Sequence, residues 1–167
     1  MPIAGSINEI CTRLNALTPG DITALEGFCG SGKSTLADQL AERVPMIVCH
    51  VDNFARKSEK PPLYTECLDL TRLRSTLEQR EMSRIAIVEG ICLRDVLARV
   101  GVRPALFVYL KRIGGNGLWY DGLDLEAFEI GQPTAGGIDE PHRSDFEYHV
   151  RVRPHERADL IYERVEH

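Results

Sequence analysis

The stretch from Gly27 to Ser34 places glycines, a lysine and a serine at the spacing of a phosphate-binding loop. It reads Gly-Phe-Cys-Gly-Ser-Gly-Lys-Ser, which matches the pattern G-x-x-x-x-G-K-[ST]. Glycines permit the dihedral angles that turn successive backbone N–H groups inward, and the start of a following helix adds its own N–H groups, so such a loop can hold a polyphosphate. The residues expected to contact the nucleotide are Gly27, Cys29, Gly30, Ser31, Gly32, Lys33, Ser34 and Thr35.

Three side chains of this loop have separate predicted roles. Lys33, expected to be a surface charge outside the core, would reach the β- and γ-phosphates, the Ser34 hydroxyl would complete the coordination of Mg²⁺, and Thr35 would contact the α-phosphate. The sequence therefore predicts ATP and Mg²⁺ as ligands. The alternative is a chance match in a glycine-containing turn. A dinucleotide-binding fingerprint is excluded, because the glycine order differs and a lysine is present.

Two acidic residues stand where apolar runs end. Asp52 follows residues 46–51, and Glu89 follows residues 85–88. At the carboxyl edge of a sheet Asp52 could accept a proton from a substrate hydroxyl or orient that hydroxyl, and Glu89 could hold a magnesium-bound water or share the role of general base. The alternatives are an Asx turn or helix cap for Asp52 and a strand-terminating surface residue for Glu89. The predicted catalytic residues are Lys33, Asp52 and Glu89, and the predicted metal ligands are Ser34 and Glu89.

The elements that must position these residues follow from hydrophobic patterning. Apolar runs at 22–26, 46–51, 84–88 and 105–110 predict strands buried on both faces, as in a parallel sheet. Helical periodicity lies between the strands, at 35–44, at 70–77 behind an Asp69 cap and at 93–100, and another helix with a Ser-x-x-Glu capping box at residues 6–9 precedes the first strand. Residues 158–162 would add a fifth, edge strand. The prediction is an α/β domain with helices on both faces of the sheet.

Residues 113–141 differ from the rest of the chain in composition. They contain seven glycines, six acidic residues and no lysine or arginine, which is poor material for a packed core. Such a composition is typical of a mobile loop, or of a short helix between loops. We therefore predict an insertion, and a candidate lid, on a single domain of residues 1–167.

Composition narrows the choice of partners and compartment. The 25 acidic and 20 basic residues give a net charge of -5, which disfavours nucleic acid as a partner. No apolar run approaches the ~18 residues of a membrane span, so no membrane partner is expected.

Five widely spaced cysteines without a Cys-x-x-Cys pair predict reduced thiols and a cytoplasmic location. Cys29 is either a small residue that contributes its N–H or, less favoured, a redox sensor. The sequence leaves the oligomeric state open.

These motifs together resemble the uridine kinase-like branch of the P-loop kinases, which also includes phosphoribulokinase and type I pantothenate kinase. Residues 27–35 are similar to the phosphate loop of that branch, Asp52-Asn53-Phe54 to its Asp-x-Phe acceptor motif, and Val88-Glu89-Gly90 to its Glu-Gly strand end. Weaker similarity lies in Tyr148-His149, Arg153-Pro154 and Ala158-Asp159.

The resemblance implies a P-loop NTPase fold with a parallel sheet of about five strands. It also implies transfer of the γ-phosphoryl group from ATP and Mg²⁺ to a hydroxyl of a small metabolite, such as a nucleoside, a sugar or a pantothenate-like alcohol. The Asp52 position would act as the base or bind the hydroxyl. The alternative function is that of a nucleotide-binding regulatory protein or an ATPase without small-molecule kinase activity.

One departure concerns the lid. Many members of that branch carry an arginine-rich lid after the fourth strand, whereas here Lys111-Arg112 is followed by the acidic, glycine-rich insertion. Arginines for the transferred phosphate would then come from elsewhere, although each candidate is individually more typical of a solvated surface charge. The candidates are Arg112, Arg143, Arg151 and Arg153. Three histidines, His142, His149 and His155, are expected to be exposed caps or hydrogen-bonding groups rather than ligands.

Overall fold

A six-stranded, fully parallel sheet forms the centre of the molecule. The computed structural model describes residues 3–4, 6–57, 63–132 and 139–166. The strands are β1 (Ile3–Ala4), β2 (Ile22–Glu26), β3 (Met46–His50), β4 (Ile85–Glu89), β5 (Leu106–Ile113) and β6 (Leu160–Val165). Their order across the sheet is β1-β6-β5-β2-β4-β3. The four apolar runs predicted as strands are all confirmed, and so is the parallel α/β fold.

Eight helices connect the strands within the described part of the chain. They are α1 (Ile7–Asn15), α2 (Lys33–Ala41), α3 (Tyr64–Cys67), α4 (Leu70–Glu78), α5 (Leu93–Val100), α6 (Gly122–Glu129), α7 (His142–Val152) and α8 (Pro154–Arg157). A 3-10 turn, Val51–Phe54, follows β3 directly. The predicted caps are confirmed: the Ser6 side chain accepts the Glu9 N–H, and the Asp69 carboxylate accepts the Arg72 N–H at 3.0 Å.

Two apolar clusters cover the two faces of the sheet. Alternate residues of β2 point to opposite faces, so Ala24 packs towards α4, α5 and α7 while Leu25 packs towards α1 and α2. All five residues of β2 and of β4 are buried, which is why these strands are almost continuously apolar rather than alternating. The phosphate loop thus extends from the middle of a rigid, doubly covered sheet.

Three sequence-based expectations need correction in detail. The strand predicted at 158–162 spans Leu160–Val165 and is not at the edge, because β1 pairs with it in the register Ile3↔Ile161. The sequence predicted that a helix is the first element, whereas β1 precedes α1. A two-residue strand carries too few residues to show a period, so its pairing depends on contacts distant in sequence.

The segment 113–141 is partly built into the domain rather than being a separate insertion. β5 continues to Ile113, and the Tyr120 N–H donates to the Arg112 carbonyl at 2.9 Å, which turns the chain back along the strand. Leu125 of α6 is buried. Residues 133–138, near the C-terminal end of the segment, lie outside the described residues. In the described ranges no helix combines the length and the apolar character needed to cross a membrane.

Candidate active site

The loop predicted to bind phosphate lies between β2 and α2, in the strand–loop–helix context that the motif requires. Gly32 is the N-cap of α2 with φ of 99°, a conformation that side chains rarely adopt. At Gly27 a Cβ would come within 2.6 Å of the Leu110 carbonyl oxygen, so only glycine lets the loop pack this closely on β5. Both glycines are therefore required by the backbone of the loop.

Lys33 lies inside the loop and differs from the expected surface charge. The residue is 7% exposed, and its Nζ donates to the Phe28 carbonyl at 2.7 Å. This hydrogen bond anchors the ammonium group inside the loop. The positive charge is thereby held at the centre of the predicted phosphate site.

Ser34 and Glu89 meet at the predicted metal position. The Ser34 hydroxyl donates to Glu89 Oε1 at 2.9 Å, and His50 Nδ1 lies 2.7 Å from the same oxygen. Adjacent oxygen ligands in a Mg²⁺ octahedron lie about 3 Å apart, so these two hard oxygen donors fit that ion. Among the described residues no group of three or more His, Cys, Asp or Glu is arranged around a metal.

Asp52 is exposed in the 3-10 turn and forms a hydrogen bond that the sequence did not indicate. Its Oδ1 accepts the Tyr64 hydroxyl at 2.6 Å. Burial, followed by the charge of Asp52, raises the pKa of Tyr64, so the phenol keeps its proton and donates. Tyr64 comes back to Asp52 because Ala55 and Leu68 form an antiparallel bridge. No local pattern marks Tyr64, because that bridge joins residues 13 apart in sequence.

One cavity of 230 Å³ brings the predicted phosphate and acceptor residues together. Its lining consists of Cys29, Gly30, Gly32, Lys33, Ser34, Thr35, Asp52, Tyr64, Glu89, Ile91 and Pro141. Gly27 and Ser31 belong to the loop but are not part of this lining. All three predicted catalytic residues therefore face a single space.

Comparison with known proteins supports the fold. No family model and no curated protein matches the chain. A possible uridine kinase from Bacillus stearothermophilus aligns with 17% identity and a TM-score of 0.62, over 93% of this chain and 96% of that one. A candidate fructose transport system kinase from Silicibacter sp. TM1040 aligns with 20% identity and a TM-score of 0.51, over 95% of this chain and 99% of that one. The chain therefore shares the fold of these two proteins, a parallel P-loop NTPase α/β fold. This agrees with the uridine kinase-like branch that the motifs predicted.

Cys29 ties the predicted phosphate loop to α7 through its backbone. Its N–H donates to Asp145 Oδ2, on α7, at 2.7 Å. Burial is the main cause that raises the pKa of the Cys29 thiol, and Asp145 and Asp52 add to it, whereas Lys33 opposes it. A raised pKa disfavours the reactive thiolate, which argues against a redox sensor. The Cys29 N–H, which the sequence assigned to the phosphate cradle, is donated to Asp145 instead.

A cluster of buried aromatic rings packs against the predicted phosphate loop. The His149 ring stacks on Phe28 with 3.7 Å between centroids, its Nδ1 donates to the Asp145 carbonyl at 2.7 Å, and its Nε2 accepts the Tyr109 hydroxyl at 2.8 Å. Asp145 Oδ1 also lies 3.1 Å from Nδ1. The loop backbone is therefore tied to α7 through both a carboxylate and a stacked ring.

The sequence predicts that the three histidines are exposed caps or hydrogen-bonding groups, and His149 is a hydrogen-bonding group that lies buried. His149 is 1% exposed and His155 is 8% exposed, and only His142 lies at the surface. Burial lowers the pKa of His155 to about 4. The polar sequence around these residues concealed their burial, because α7 and α8 bury a narrow face and leave charged residues outside.

The four arginines considered as candidates for the transferred phosphate each pair with carboxylates. Arg112 Nη2 lies 3.7 Å from Asp121, and Arg143 pairs with Glu147 on its own helix. Arg151 pairs with Asp95, and Arg153 with Glu129 and Glu156. These pairs agree with the alternative of surface or structural charges. The arginine that lies against the phosphate loop is Arg164, which sequence analysis missed.

Proposed function

We propose that this protein transfers the γ-phosphoryl group of ATP to a hydroxyl group of a small metabolite. The observation that carries the proposal is the single cavity lined by Lys33 and Ser34 on the phosphate side and by Asp52 and Tyr64 on the other. The Asp52 carboxylate, which accepts the Tyr64 hydroxyl, would provide a hydrogen-bond acceptor for the hydroxyl of such a metabolite. The two structural neighbours support a kinase-like fold.

The residues divide the work of the reaction between them. The N–H groups of the loop and the ammonium of Lys33 bind the phosphates and balance their charge. Ser34 and Glu89 would hold Mg²⁺, which supplies charge neutralisation at the phosphate oxygens when bound. Asp52 orients the acceptor hydroxyl and takes its proton as the new oxygen–phosphorus bond forms and the bond from the γ-phosphorus to the bridging oxygen breaks. The products are ADP and a phosphate ester.

The test is a screen for acceptor-stimulated release of ADP from MgATP. The panel contains nucleosides, sugars, pantothenate-like alcohols and other small hydroxylated metabolites. We expect at least one class to raise ADP release well above the slow hydrolysis that kinases show with water. Nucleotide binding without stimulation by any acceptor would favour the regulatory or ATPase alternative.

Replacing Tyr64 by phenylalanine tests the acceptor side separately from the nucleotide side. The substitution removes the hydroxyl that donates to Asp52 at 2.6 Å and keeps the ring. Because a hydrogen bond to a charged group contributes about 1.5 kcal/mol, kcat/KM for the acceptor should fall about tenfold. Affinity for MgATP, measured by calorimetry, should not change. An equal loss in MgATP affinity would place Tyr64 in the nucleotide site instead.

The segment 113–141 remains a candidate lid, and hydrogen exchange tests it. Lids in phosphoryl transfer close over the bound ligands and exclude water. We expect amides of this segment to gain protection when nucleotide and acceptor are both bound, and to gain less with nucleotide alone. The strands β2 and β4, which are fully buried, serve as the internal control. Exchange that no ligand combination alters would argue against a lid.

A further inference from the structure

Arg164 lies directly against the phosphate loop, although nothing in the motif includes it. A Cβ built on Gly32 would overlap Nη1 of Arg164 and lie 3.0 Å from its Cζ. The guanidinium group therefore occupies the space beside the N-cap of α2. The side chain is 37% exposed, so it is open to solvent as well as to the loop.

The alternation of β6 explains why the side chain reaches this point. Leu160 and Tyr162 pack into the cluster that contains Leu36 and Leu40 of α2. Arg164 is the next residue on the same face of the strand, because side chains alternate along a strand. Leu160, Tyr162 and Arg164 therefore lie along α2 on one face of β6, and the Arg164 guanidinium lies at the N-terminus of that helix.

The order of the strands determines which end of a nucleotide would meet Arg164. The acceptor residue Asp52 follows β3 and Glu89 ends β4, both on one side of β2. Arg164 belongs to β6, on the opposite side of β2 beyond β5. A triphosphate with its γ-phosphate towards Asp52 therefore directs its α-phosphate towards β5 and β6.

The two terminal nitrogens of the Arg164 guanidinium have different neighbours: Nη2 is paired with Glu166, whereas Nη1 lies beside Gly32 of the loop. Nη2 donates to Glu166 Oε1 at 2.7 Å, and Arg112 Nε lies 3.9 Å from the same carboxylate oxygen. An exposed ion pair between residues so close in sequence contributes little to stability. Arg112 is also paired with Asp121 and stacks on Tyr120. Arg164, not Arg112, is the guanidinium in contact with Gly32.

We propose that Arg164 binds the α-phosphate of the nucleotide. This inference rests on the proposed nucleotide site and adds a binding residue to it. A planar guanidinium can donate two hydrogen bonds to one phosphate, so arginine is suited to this position. Glu166 positions the side chain by holding Nη2.

The experiment compares binding of MgADP and of magnesium tripolyphosphate by calorimetry. Arg164→Gln should weaken both ligands about tenfold, as expected for the loss of one charge-assisted phosphate contact. Arg164→Lys, which keeps the charge but not the planar donor pair, should recover part of the affinity. Arg103→Gln is the matched control. Arg103 is exposed in the loop before β5, at the amino-terminal ends of the strands, whereas the phosphate loop lies at their carboxyl ends.

The controls separate failure of this inference from failure of the nucleotide site. Lys33→Met should abolish binding of both ligands if the loop holds phosphate at all. If Lys33→Met loses binding and Arg164→Gln keeps it, Arg164 is not a ligand and the inference is wrong. If Arg164→Gln weakens MgADP but not tripolyphosphate, Arg164 contacts the nucleoside and the phosphate assignment is overturned. Unchanged binding in both variants would reject the nucleotide site itself.

Discussion

Replacing Lys33 by methionine is expected to reduce ATP turnover to background. The ammonium lies inside the phosphate loop, where Nζ donates to the Phe28 carbonyl at 2.7 Å, so its loss removes the positive charge from the centre of the site. Phosphoryl transfer depends mainly on positioning and charge stabilisation, and a lost contact of this kind costs about 10³-fold or more in rate. The measurement is ADP formation with and without acceptor.

The Lys33 variant needs a check on folding because the side chain is buried. Methionine preserves most of the volume, and the lost hydrogen bond should cost only about 1 kcal/mol of stability. Thermal unfolding of the variant should therefore remain cooperative. Arg103→Met, which removes an exposed positive charge far from the loop, should retain full turnover. A Lys33→Met variant with the parent rate would show that the loop is not the phosphate site.

Asp52→Asn is expected to separate binding from chemistry. The amide keeps the shape of the carboxylate but cannot take the proton of an acceptor hydroxyl. Transfer to the acceptor should fall about 10²-fold or more, while affinity for MgATP should change little because Asp52 faces the loop from the acceptor side. Steady-state transfer and calorimetry on the same preparation measure the two effects.

The control for Asp52→Asn is the same change at Asp69. Asp69 caps α4 by accepting the Arg72 N–H, and asparagine is an equally good cap, so Asp69→Asn should be active and stable. Full activity of the Asp52 variant would move the role of base to Glu89. Loss of nucleotide binding would instead make Asp52 part of the magnesium site or of the local structure.

Sequence analysis predicted the central part of the fold because the relevant signals are local. Strands buried on both faces read as short apolar runs, and the helix that follows the glycine loop has a clear period. The helix caps at Ser6 and Asp69 were also visible, because a cap depends on residues three positions apart. The predicted phosphate loop is also a local signal, because its glycines, lysine and serine are consecutive and lie between an apolar run and a helical period.

The sequence by itself determined the phosphate loop, the parallel α/β fold and the two carboxylates at the strand ends. Only the tertiary structure decided what surrounds them. Tyr64 reaches Asp52 through a long-range bridge, Asp145 accepts the Cys29 N–H across 116 positions, and Arg164 reaches Gly32 from another strand. These contacts carry no local period or motif. Parallel strands bring their carboxyl ends to one edge of the sheet, which brings Arg164 of β6 to the loop, whereas Tyr64 and Asp145 reach the site from the helices α3 and α7.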